Sequence, residues 1–283
     1  MNYRHIYHAG NFADVVKHIT LLQLLRHLCK KPEPFCYLDT HAGIGRYPLD
    51  AAQALKTLEY QSGVGLLVDL GNLPAAVGDY VARVLEFNPA YSREQTLRVY
   101  PGSPALARAL LRPQDRAVLA ELHEEDAQSL KSLFRGDPQV AVHRMDGYHA
   151  LKAFLPPKER RGLVLIDPPF EVTDEFERMV EGLTQAHRRW ATGIYALWYP
   201  VKDRREVHRF HQALKKTGIR KQLLVELCLY PDDDPRRLNG CGLVIVNPPW
   251  QLDQQLAAAM EALAEHLART DKPRITVDWL VPE

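Results

Sequence analysis

Two patterns of hydrophobic and polar positions alternate along the chain, and each predicts a different kind of element. Short runs of consecutive aliphatic residues, such as residues 162–166, are typical of strands that are buried on both faces of a sheet. Apolar residues at helical spacing, as in residues 12–29, predict helices that pack one face inward. Because the two patterns alternate through most of the chain, they predict crossover connections and an α/β fold with a mainly parallel sheet.

The strand-like runs leave one long stretch of the chain without a convincing strand. They lie at residues 35–39, 116–121, 140–143, 162–166, 193–198, 222–229, 242–246 and 275–280. Residues 50–98 carry only helical runs, broken by prolines and scattered charges. We therefore predict a main domain of residues 1–49 and 99–283, with a small helical insertion subdomain at residues 50–98. Ordinary connecting helices of the main sheet are the alternative interpretation of this stretch.

Composition narrows the class of protein without fixing its function. The formal net charge of +1 over 283 residues neither requires nor excludes a nucleic-acid partner. The four cysteines form no CxxC pair, which favours small buried side chains in a reducing cytosol over disulfides or a zinc site. No apolar run approaches the roughly 18 residues of a membrane span, and no signal peptide stands out. We expect a cytoplasmic protein that does not contact a membrane and that is monomeric, since no helix has a surplus apolar face.

Polar or flexible residues follow four of the predicted strands, at the point where each apolar run stops. In chain order they are His41 with Gly43 and Gly45, then Glu121, then Asp146 with Gly147, and then Asp167-Pro168-Pro169-Phe170. The glycine loop lacks the third glycine of a dinucleotide fingerprint and the Gly-Lys-Ser/Thr of a P-loop. Taken alone, a Pro-Pro after a strand is more often a simple turn. Four such strand ends in one α/β pattern are a specific signal, because ligands of open α/β sheets bind at the carboxyl ends of the strands.

This order resembles that of the Rossmann-like S-adenosylmethionine-dependent methyltransferases. In that family the loop after the first strand holds the methionine part of the cofactor, and acids after the second and third strands bind its ribose and adenine. A [D/N/S]-P-P-[Y/F/W] motif after the fourth strand marks methylation of an exocyclic amine on a base, and Asp167–Phe170 fits this motif.

Longer motifs make the resemblance more specific. They are YRHxxHAGNxADVxKH at residues 3–18, YLDTHAGxGRY at 37–47, PGSP at 101–104, YALWYP at 195–200, NPPW at 247–250 and the closing WLVPE. On these motifs the chain resembles the bacterial 23S ribosomal RNA (adenine-N6) methyltransferase J family, over essentially its whole length and weakly at residues 50–98. Some members of that family have been labelled as acting in the use of external DNA as a nutrient.

The resemblance implies a Rossmann-like, mainly parallel seven-stranded sheet and a set of cofactor-binding residues. The cofactor is S-adenosylmethionine, which becomes S-adenosylhomocysteine, and no metal is implied. His18 and His41 are expected to contact its methionine end, with Ser103 nearby. Glu121 is expected to bind the ribose hydroxyls, and Asp146 with Gly147 the adenine. Asp167 lies beside both cofactor and substrate.

The chemistry of an adenine N6 amine explains why Asp167, Pro168 and Phe170 are the predicted catalytic residues. The amine is a poor nucleophile because its lone pair is delocalised into the ring. The Asp167 carboxylate and the Pro168 carbonyl can accept its two hydrogens, which aims the lone pair at the methyl group. Phe170 offers a ring on which the extruded base can stack.

The substrate side of the site depends on positive charge and on the amino-terminal residues. Tyr3, Arg4 and His5 are expected to fold over the active site, where Tyr3 and Arg4 would contact the nucleotide together with Phe170. The basic residues that could neutralise phosphates are Arg46, Arg160-Arg161, Arg188-Arg189, Lys202, Arg204-Arg205, Lys215-Lys216 and Arg236-Arg237. For each of them a solvated surface is the alternative. The expected partner is 23S ribosomal RNA, free or in an assembly intermediate.

Two alternative functions remain open at this point. DPPF alone fits a DNA adenine-N6 methyltransferase equally well, and a non-catalytic nucleic-acid-binding or external-DNA-utilisation factor could be built on the same scaffold. A metal site formed by His5, His8, His18 and His41 is disfavoured because their spacing fits no standard zinc pattern. Asn247-Pro248-Pro249-Trp250 also fits the aminomethyltransferase motif, but it follows a late strand, so we expect it to be structural.

Overall fold

The computed structural model of the protein describes residues 4–92 and 96–283, and an eight-stranded sheet lies at its centre. A separate two-stranded ribbon is formed by β2 and β3. The strands are β1 (Cys36–Asp39), β2 (Arg46–Pro48), β3 (Val99–Pro101), β4 (Arg116–Glu121), β5 (Val140–Arg144), β6 (Gly162–Ile166), β7 (Ile194–Val201), β8 (Gln222–Cys228), β9 (Gly240–Val246) and β10 (Arg274–Val281).

Helices connect most of these strands, as the alternating pattern predicts. The α-helices of the described residues are α1 (Phe12–Cys29), α2 (Ala52–Thr57), α3 (Ala75–Glu86), α4 (Ser103–Arg108), α5 (Glu124–Leu133), α6 (Gly147–Phe154), α7 (Glu175–Arg189), α8 (Arg204–Lys216) and α9 (Leu252–Leu267). Short 3-10 helices lie at His5–Tyr7, Glu59–Ser62 and Val64–Leu66. None of the helices within the described ranges has both the length and the apolar character that a membrane crossing would need.

The strand order in the sheet is β10-β8-β9-β7-β6-β1-β4-β5. Neighbouring strands from β7 to β5 pair in parallel, whereas β9 is antiparallel to both of its neighbours and β10 is antiparallel to β8. Six strands therefore share one direction, which confirms the predicted α/β class and the mainly parallel sheet. Its eight strands match the eight strand-like runs of the sequence, whereas the resemblance implied seven; β10 extends the sheet beyond β8.

Both faces of the sheet are covered by helices, so its central strands are buried on each side. Leu163 and Leu165 of β6 face one core with α1, α3, α4 and α9, whereas Val164 and Ile166 face a second core with α6, α7 and α8. This two-sided burial explains why the strand reads as a continuous aliphatic run rather than an alternating one. Three of the four cysteines, Cys36, Cys228 and Cys241, are buried free thiols, and Cys29 is partly buried.

The position of β1 determines where a ligand can enter the sheet. β1 pairs with β4 on one side and β6 on the other, so the connections leave it in opposite directions. Such a topological switch point opens a crevice at the carboxyl ends of the strands. The site residues that the sequence predicts after β1, β4, β5 and β6 lie at this crevice.

Residues 50–98 lie between the two strands of the ribbon. In the described part of this stretch the structure has α2, α3 and two 3-10 helices, in accordance with the predicted helical runs. α3 packs against α1 and α9 through Val77, Tyr80 and Val84. The division of the chain into a main domain and an insertion subdomain stays a prediction.

Gly162 at the start of β6 tests how tightly β6 is held against β1. A Cβ at this position would lie 2.0 Å from the Cys36 carbonyl oxygen, which is backbone and cannot move aside. We expect Gly162→Ala to cost about 2 kcal/mol of unfolding free energy and to lower Tm by about 4–8 °C, measured by thermal denaturation.

Gly78→Ala is the matched control, because a Cβ there meets open space on α3. Alanine favours a helix over glycine, so this variant should unfold at the same temperature or slightly higher. Equal Tm values for the two variants would contradict the close packing of β6 on β1.

Candidate active site

A cavity of about 620 Å³ opens at the carboxyl ends of β1, β4, β5 and β6. It brings together most of the residues that the sequence singles out. Those lining it are His18, His41, Ser103, Glu121, Asp146, Gly147, Asp167, Pro168 and Phe170. Residues that are far apart in the chain thus converge on one space that is large enough for a nucleotide-sized ligand.

Of the amino-terminal residues in the prediction, His5 lines the cavity and Arg4 does not. Tyr3 lies outside the described residues. Arg4 donates hydrogen bonds to Asp126 (2.8 Å) and Glu125 on α5, and its side chain does not line the cavity. A role for either residue in substrate binding therefore stays a prediction.

Asp167 follows β6 directly and forms an ion pair with a buried lysine. Its Oδ2 accepts a hydrogen bond from Lys17 Nζ at 2.6 Å, and the same ammonium lies 2.8 Å from Asp14 Oδ1. Lys17 is only 5% exposed. Burial opposes its charge, but the carboxylates of Asp14 and Asp167 raise the pKa of Lys17 well above its usual range. Lys17 is therefore an ammonium ion that fixes one oxygen of Asp167 and leaves the other available.

Asp14 receives further partners that keep it ionised. Its Oδ2 accepts the Gly10 amide N–H at 2.9 Å and lies 2.9 Å from His5 Nε2. Although burial opposes ionisation, His5 and Lys17 lower the pKa of Asp14 well below its usual range. The amino-terminal end of α1 is thereby tied to the end of β6.

Phe170 closes the Asp-Pro-Pro-Phe turn in a conformation that side-chain-bearing residues rarely adopt. Its φ of +51° lies in the left-handed region. Its ring meets Phe176 and Trp198 edge-on, with centroids at 5.0 and 6.0 Å. Strain of this kind persists only where packing enforces it, and it is common where a side chain must be aimed at a ligand.

His41 presents an uncharged nitrogen to the cavity. Thr40 Oγ1 donates to the Leu165 carbonyl at 3.0 Å, so it accepts the Nδ1 proton of His41 at 2.8 Å. Nε2 of His41 is then left with a free lone pair. Burial lowers the pKa of His41 to about 4, which keeps the ring neutral at pH 7.

His18 is the second neutral imidazole at the cavity. Its Nδ1 lies 2.7 Å from the Tyr100 hydroxyl, which in turn lies 3.0 Å from the hydroxyl of Tyr80. Burial lowers the pKa of His18 to about 3. The histidine is therefore a positioned hydrogen-bonding group rather than a cation.

Ser103 has a different local role from the one its sequence context predicts. Ser103 follows the Pro101-Gly102 turn, where a serine is expected to cap the next helix, but this expectation is wrong: Gly102 takes the N-cap position of α4 and Ser103 begins the helix. The Ser103 hydroxyl instead donates to Asp39 Oδ2 at 2.7 Å, beside a second donor, Tyr37. Burial raises the pKa of Asp39, and these two donors are its compensation.

Glu121 at the end of β4 is held by two backbone amides. Gly43 N–H donates to its Oε2 at 2.8 Å, and His123 N–H donates to its Oε1 at 2.7 Å. Burial raises the pKa of Glu121, and the remaining lone pairs of its oxygens border the cavity. A buried acid in this position is an acceptor for ligand hydroxyl groups.

Asp146 follows β5 and is the N-cap residue of α6. Its Oδ1 accepts the amide N–H groups of Tyr148 and His149, both at 3.0 Å, and its Oδ2 lies 3.2 Å from Arg178 Nη2. Gly147 is required beside it, because a Cβ there would lie 2.3 Å from the Thr40 carbonyl oxygen. The glycine thus lets the β5 and β1 ends approach each other.

Sequence reasoning overlooked Lys17 and Asp14 as members of the site. A signal was present: Asp14, Lys17 and His18 share one face in the first half of a helix whose other positions are mostly apolar. Trp198 on β7 was also missed, and it lines the cavity with its ring 5.9 Å from Lys17 Nζ. Within residues 4–92 and 96–283, no group of three metal-ligating side chains is arranged to hold a metal ion.

The second Pro-Pro motif lies at the opposite end of the strands from the cavity. β9 is antiparallel to β7, with Val246 opposite Tyr195, so its carboxyl end is where β7 begins. Asn247 Nδ2 donates to the carbonyls of Ala191 and Gly193, both at 2.8 Å. Asn247 therefore holds two turns together, away from the cavity.

Comparisons with known proteins agree with this geometry. A sequence model of the family described as Ribosomal RNA large subunit methyltransferase D, RlmJ, matches residues 32–281. Two curated relatives, each called Ribosomal RNA large subunit methyltransferase J, come from Escherichia coli strain K12 and Haemophilus influenzae strain Rd. They are 45% and 44% identical over 283 residues, which is the whole of this chain and of each relative.

A solved structure supports the same relationship. The crystal structure of a protein from Legionella pneumophila strain Philadelphia 1 is similar with a TM-score of 0.87 at 35% identity, and the match covers 96% of this chain and 98% of that one. The family match and the full-length relatives together place the chain. It belongs to the family of ribosomal RNA large subunit methyltransferases.

Proposed function

We propose that this methyltransferase transfers the methyl group of S-adenosylmethionine to the N6 amine of an adenine in 23S ribosomal RNA. The observation that carries the proposal is the Asp167–Phe170 turn, which shares one cavity with the acids at the ends of β4 and β5. In the cell we expect a monomer that acts in the cytoplasm, where ribosomal RNA is processed. The amine acceptor and the adenine go beyond what the family name states.

The residues of the cavity fit S-adenosylmethionine, which supplies an electrophilic methyl group on a sulfonium ion. Glu121 has acceptor lone pairs suited to ribose hydroxyls, and Asp146 with Gly147 borders the space for an adenine. At the other end, the free lone pair of His41 Nε2 suits an ammonium donor. His18 and Ser103 complete this polar end of the cavity.

Asp167 and Pro168 are the proposed acceptors for the target amine. The oxygen of Asp167 that Lys17 leaves available can accept one N6 hydrogen, and the Pro168 carbonyl can accept the other. With both hydrogens held, the nitrogen lone pair points out of the ring plane and toward the methyl group. When the N–CH₃ bond forms, the amine loses one proton, which Asp167 is placed to accept. The two prolines fix both acceptors before the base arrives.

Phe170 is the proposed stacking partner of the extruded base. Its ring is braced edge-on by Phe176 and Trp198, so it can hold the base in one plane. Stacking on an aromatic ring is how proteins hold a base that has left its helix. Phe170 would thereby set the height of the amine above the Asp167 carboxylate.

Lys202 and Arg236 support a phosphate-binding rim at the mouth of the cavity. Of the basic residues that the sequence analysis names as possible phosphate contacts, these two line the cavity. Arg236 is 89% exposed at its side chain, although it pairs with Asp234. Positive charge at the mouth would attract the backbone of an RNA whose base enters the cavity.

Removing the carboxylate of Asp167 should abolish most of the activity. We expect Asp167→Ala to lower kcat at least about a hundredfold, since the variant loses both an amine acceptor and the proton acceptor. The assay is transfer of a tritiated methyl group to unmodified ribosomal RNA, with duplex DNA as the competing substrate.

Asn247→Ala is the matched control for that substitution, because Asn247 begins the same motif outside the cavity. Its kcat should stay within about twofold of wild type, measured at a temperature where the variant is folded. The reverse result, with Asn247 essential and Asp167 dispensable, would contradict the role proposed for Asp167. If the protein methylates duplex DNA in preference to RNA, the substrate is DNA and not ribosomal RNA.

Glu121 can be tested without any RNA. We expect Glu121→Ala to weaken binding of S-adenosylmethionine about 10- to 100-fold in a calorimetric titration, because hydrogen bonds to a charged group are lost. Glu124→Ala removes an exposed acid three residues later on α5 and should bind normally. Equal dissociation constants for the two folded variants would contradict the proposed ribose contact.

Salt dependence tests the phosphate-binding rim. RNA affinity should fall linearly on a plot of log K against log salt, and Lys202→Gln should make the slope shallower by about one. Lys131→Gln on α5 removes an exposed charge away from the cavity and should leave the slope unchanged. A flat salt response of the wild-type protein would count against a surface that contacts phosphates.

A further inference from the structure

Trp250 is a large aromatic side chain that does nothing visible for the fold. It is 84% exposed, although an indole in water forgoes the burial that usually stabilises it. Asn247 in the same motif has a clear structural role through its two hydrogen bonds to the carbonyls of Ala191 and Gly193. A turn needs the asparagine and the prolines, but it does not need an exposed tryptophan.

The indole borders a small recess beside the carboxyl-terminal end of α1. This Trp250 recess has a volume of about 80 Å³, and its lining includes Gln23, Arg26, His27, Lys30 and Trp250. Polar and cationic side chains thus surround the exposed ring on the α1 side.

Part of the positive charge at the recess has no ion-pair partner among the described residues. Arg26 pairs with Asp79, but the exposed Lys30 and Lys31 form no ion pair with any other residue that the structure describes. The last carbonyls of α1 do not need these lysines, because Arg161 binds Leu28 O and Arg112 binds Cys29 O.

The surroundings of His27 are also positively charged. Burial lowers the pKa of His27, and the cations Lys30, Arg161 and Lys31 lower it further. An imidazole flanked in this way stays neutral at pH 7, and the potential around it favours a negatively charged partner.

An exposed ring beside free ammonium groups is the chemistry that recognises a single-stranded nucleotide. The ring offers a stacking surface to any base, and the lysines can neutralise the flanking phosphates. We propose that Trp250, with Lys30 and Lys31, is a second RNA contact that stacks an unpaired base of the substrate. The proposal rests on the proposed function, because it takes RNA as the substrate.

The distance between the two contacts predicts which RNA would use both. α1 rises about 1.5 Å per residue, so Lys17 at the cavity and Lys30 at the Trp250 recess lie about 20 Å apart along it. A minimal hairpin whose unpaired nucleotides all lie at the cavity has no unpaired base about 20 Å away that could stack on Trp250. A longer ribosomal RNA fragment with unpaired nucleotides beside the hairpin has such bases.

The experiment compares these two RNAs. Wild type, Trp250→Ala and Trp250→Phe are assayed on a minimal hairpin and on a longer large-subunit fragment that contains it, and RNA binding is measured in parallel by filter retention. We expect Trp250→Ala to raise KM and Kd for the long fragment about tenfold with kcat unchanged, and to leave the hairpin unaffected. Trp250→Phe should retain most of the affinity, since it keeps a ring.

Charge variants complete the design. Lys30→Gln combined with Lys31→Gln should weaken binding of the long fragment and flatten its salt dependence, whereas Lys131→Gln should not. The indole is exposed, so Tm should be the same for wild type and Trp250→Ala, which excludes misfolding as the cause.

The possible outcomes separate the two proposals. Equal Kd values of wild type and Trp250→Ala for the long fragment would overturn the second contact, even if methylation is normal. A defect that is seen only on protein-containing ribosomal particles would also overturn it, because a protein would then be the partner. If wild type methylates neither RNA, the proposed function fails, and the binding comparison still decides the role of Trp250.

Discussion

The buried ammonium of Lys17 is the interaction on which the arrangement of the site depends. It lies between Asp14 on the same helix and Asp167 after β6, so it joins the first helix of the chain to the turn that carries the proposed chemistry. Removing one partner of a buried ion pair typically costs about 3–5 kcal/mol, because the remaining charge stays desolvated. Loss of any one of the three charged groups is therefore expected to destabilise the arrangement of the other two. Their arrangement explains how the carboxylate that is proposed to accept a hydrogen from the substrate is held in one position by a buried ammonium.

Position in the sheet, rather than motif, separates the two Pro-Pro turns of this protein. Both follow a buried strand and both fit the same short pattern. β6 runs parallel to its neighbours, so Asp167 lies at the crevice beside β1. β9 runs in the opposite direction, so Asn247 lies at the other end of the strands. Strand direction is a property of the whole fold, so no local pattern reveals it. The four ordered strand ends meet at one cavity because β1, β4, β5 and β6 all run in the same direction.

The sequence predicts the elements well and the contacts between them poorly. The bounds of α1 and β6 follow from local periodicity, and the structure has them at the predicted residues. Lys17 escaped notice because helical periodicity assigns a polar residue to the surface, whereas its ammonium is buried between Asp14 and Asp167. Ser103 was expected to be a cap because the local pattern does not show its buried partner, Asp39, which lies 64 residues earlier in the chain. Such pairings depend on tertiary structure, as does the order of the strands, in which β10 lies next to β8.

The β2–β3 ribbon has a consequence for how this protein can change over evolution. Pro48 and Val99 face each other in the ribbon, so the chain leaves and re-enters the sheet region at almost the same point. Whatever lies between them is a loop whose ends are already closed, and the entropy of a closed loop grows only with the logarithm of its length. Residues could be gained or lost near the exposed turns that precede α3 without moving β1 or β4. Relatives that differ in length are therefore expected to differ there first, while the cavity keeps its dimensions.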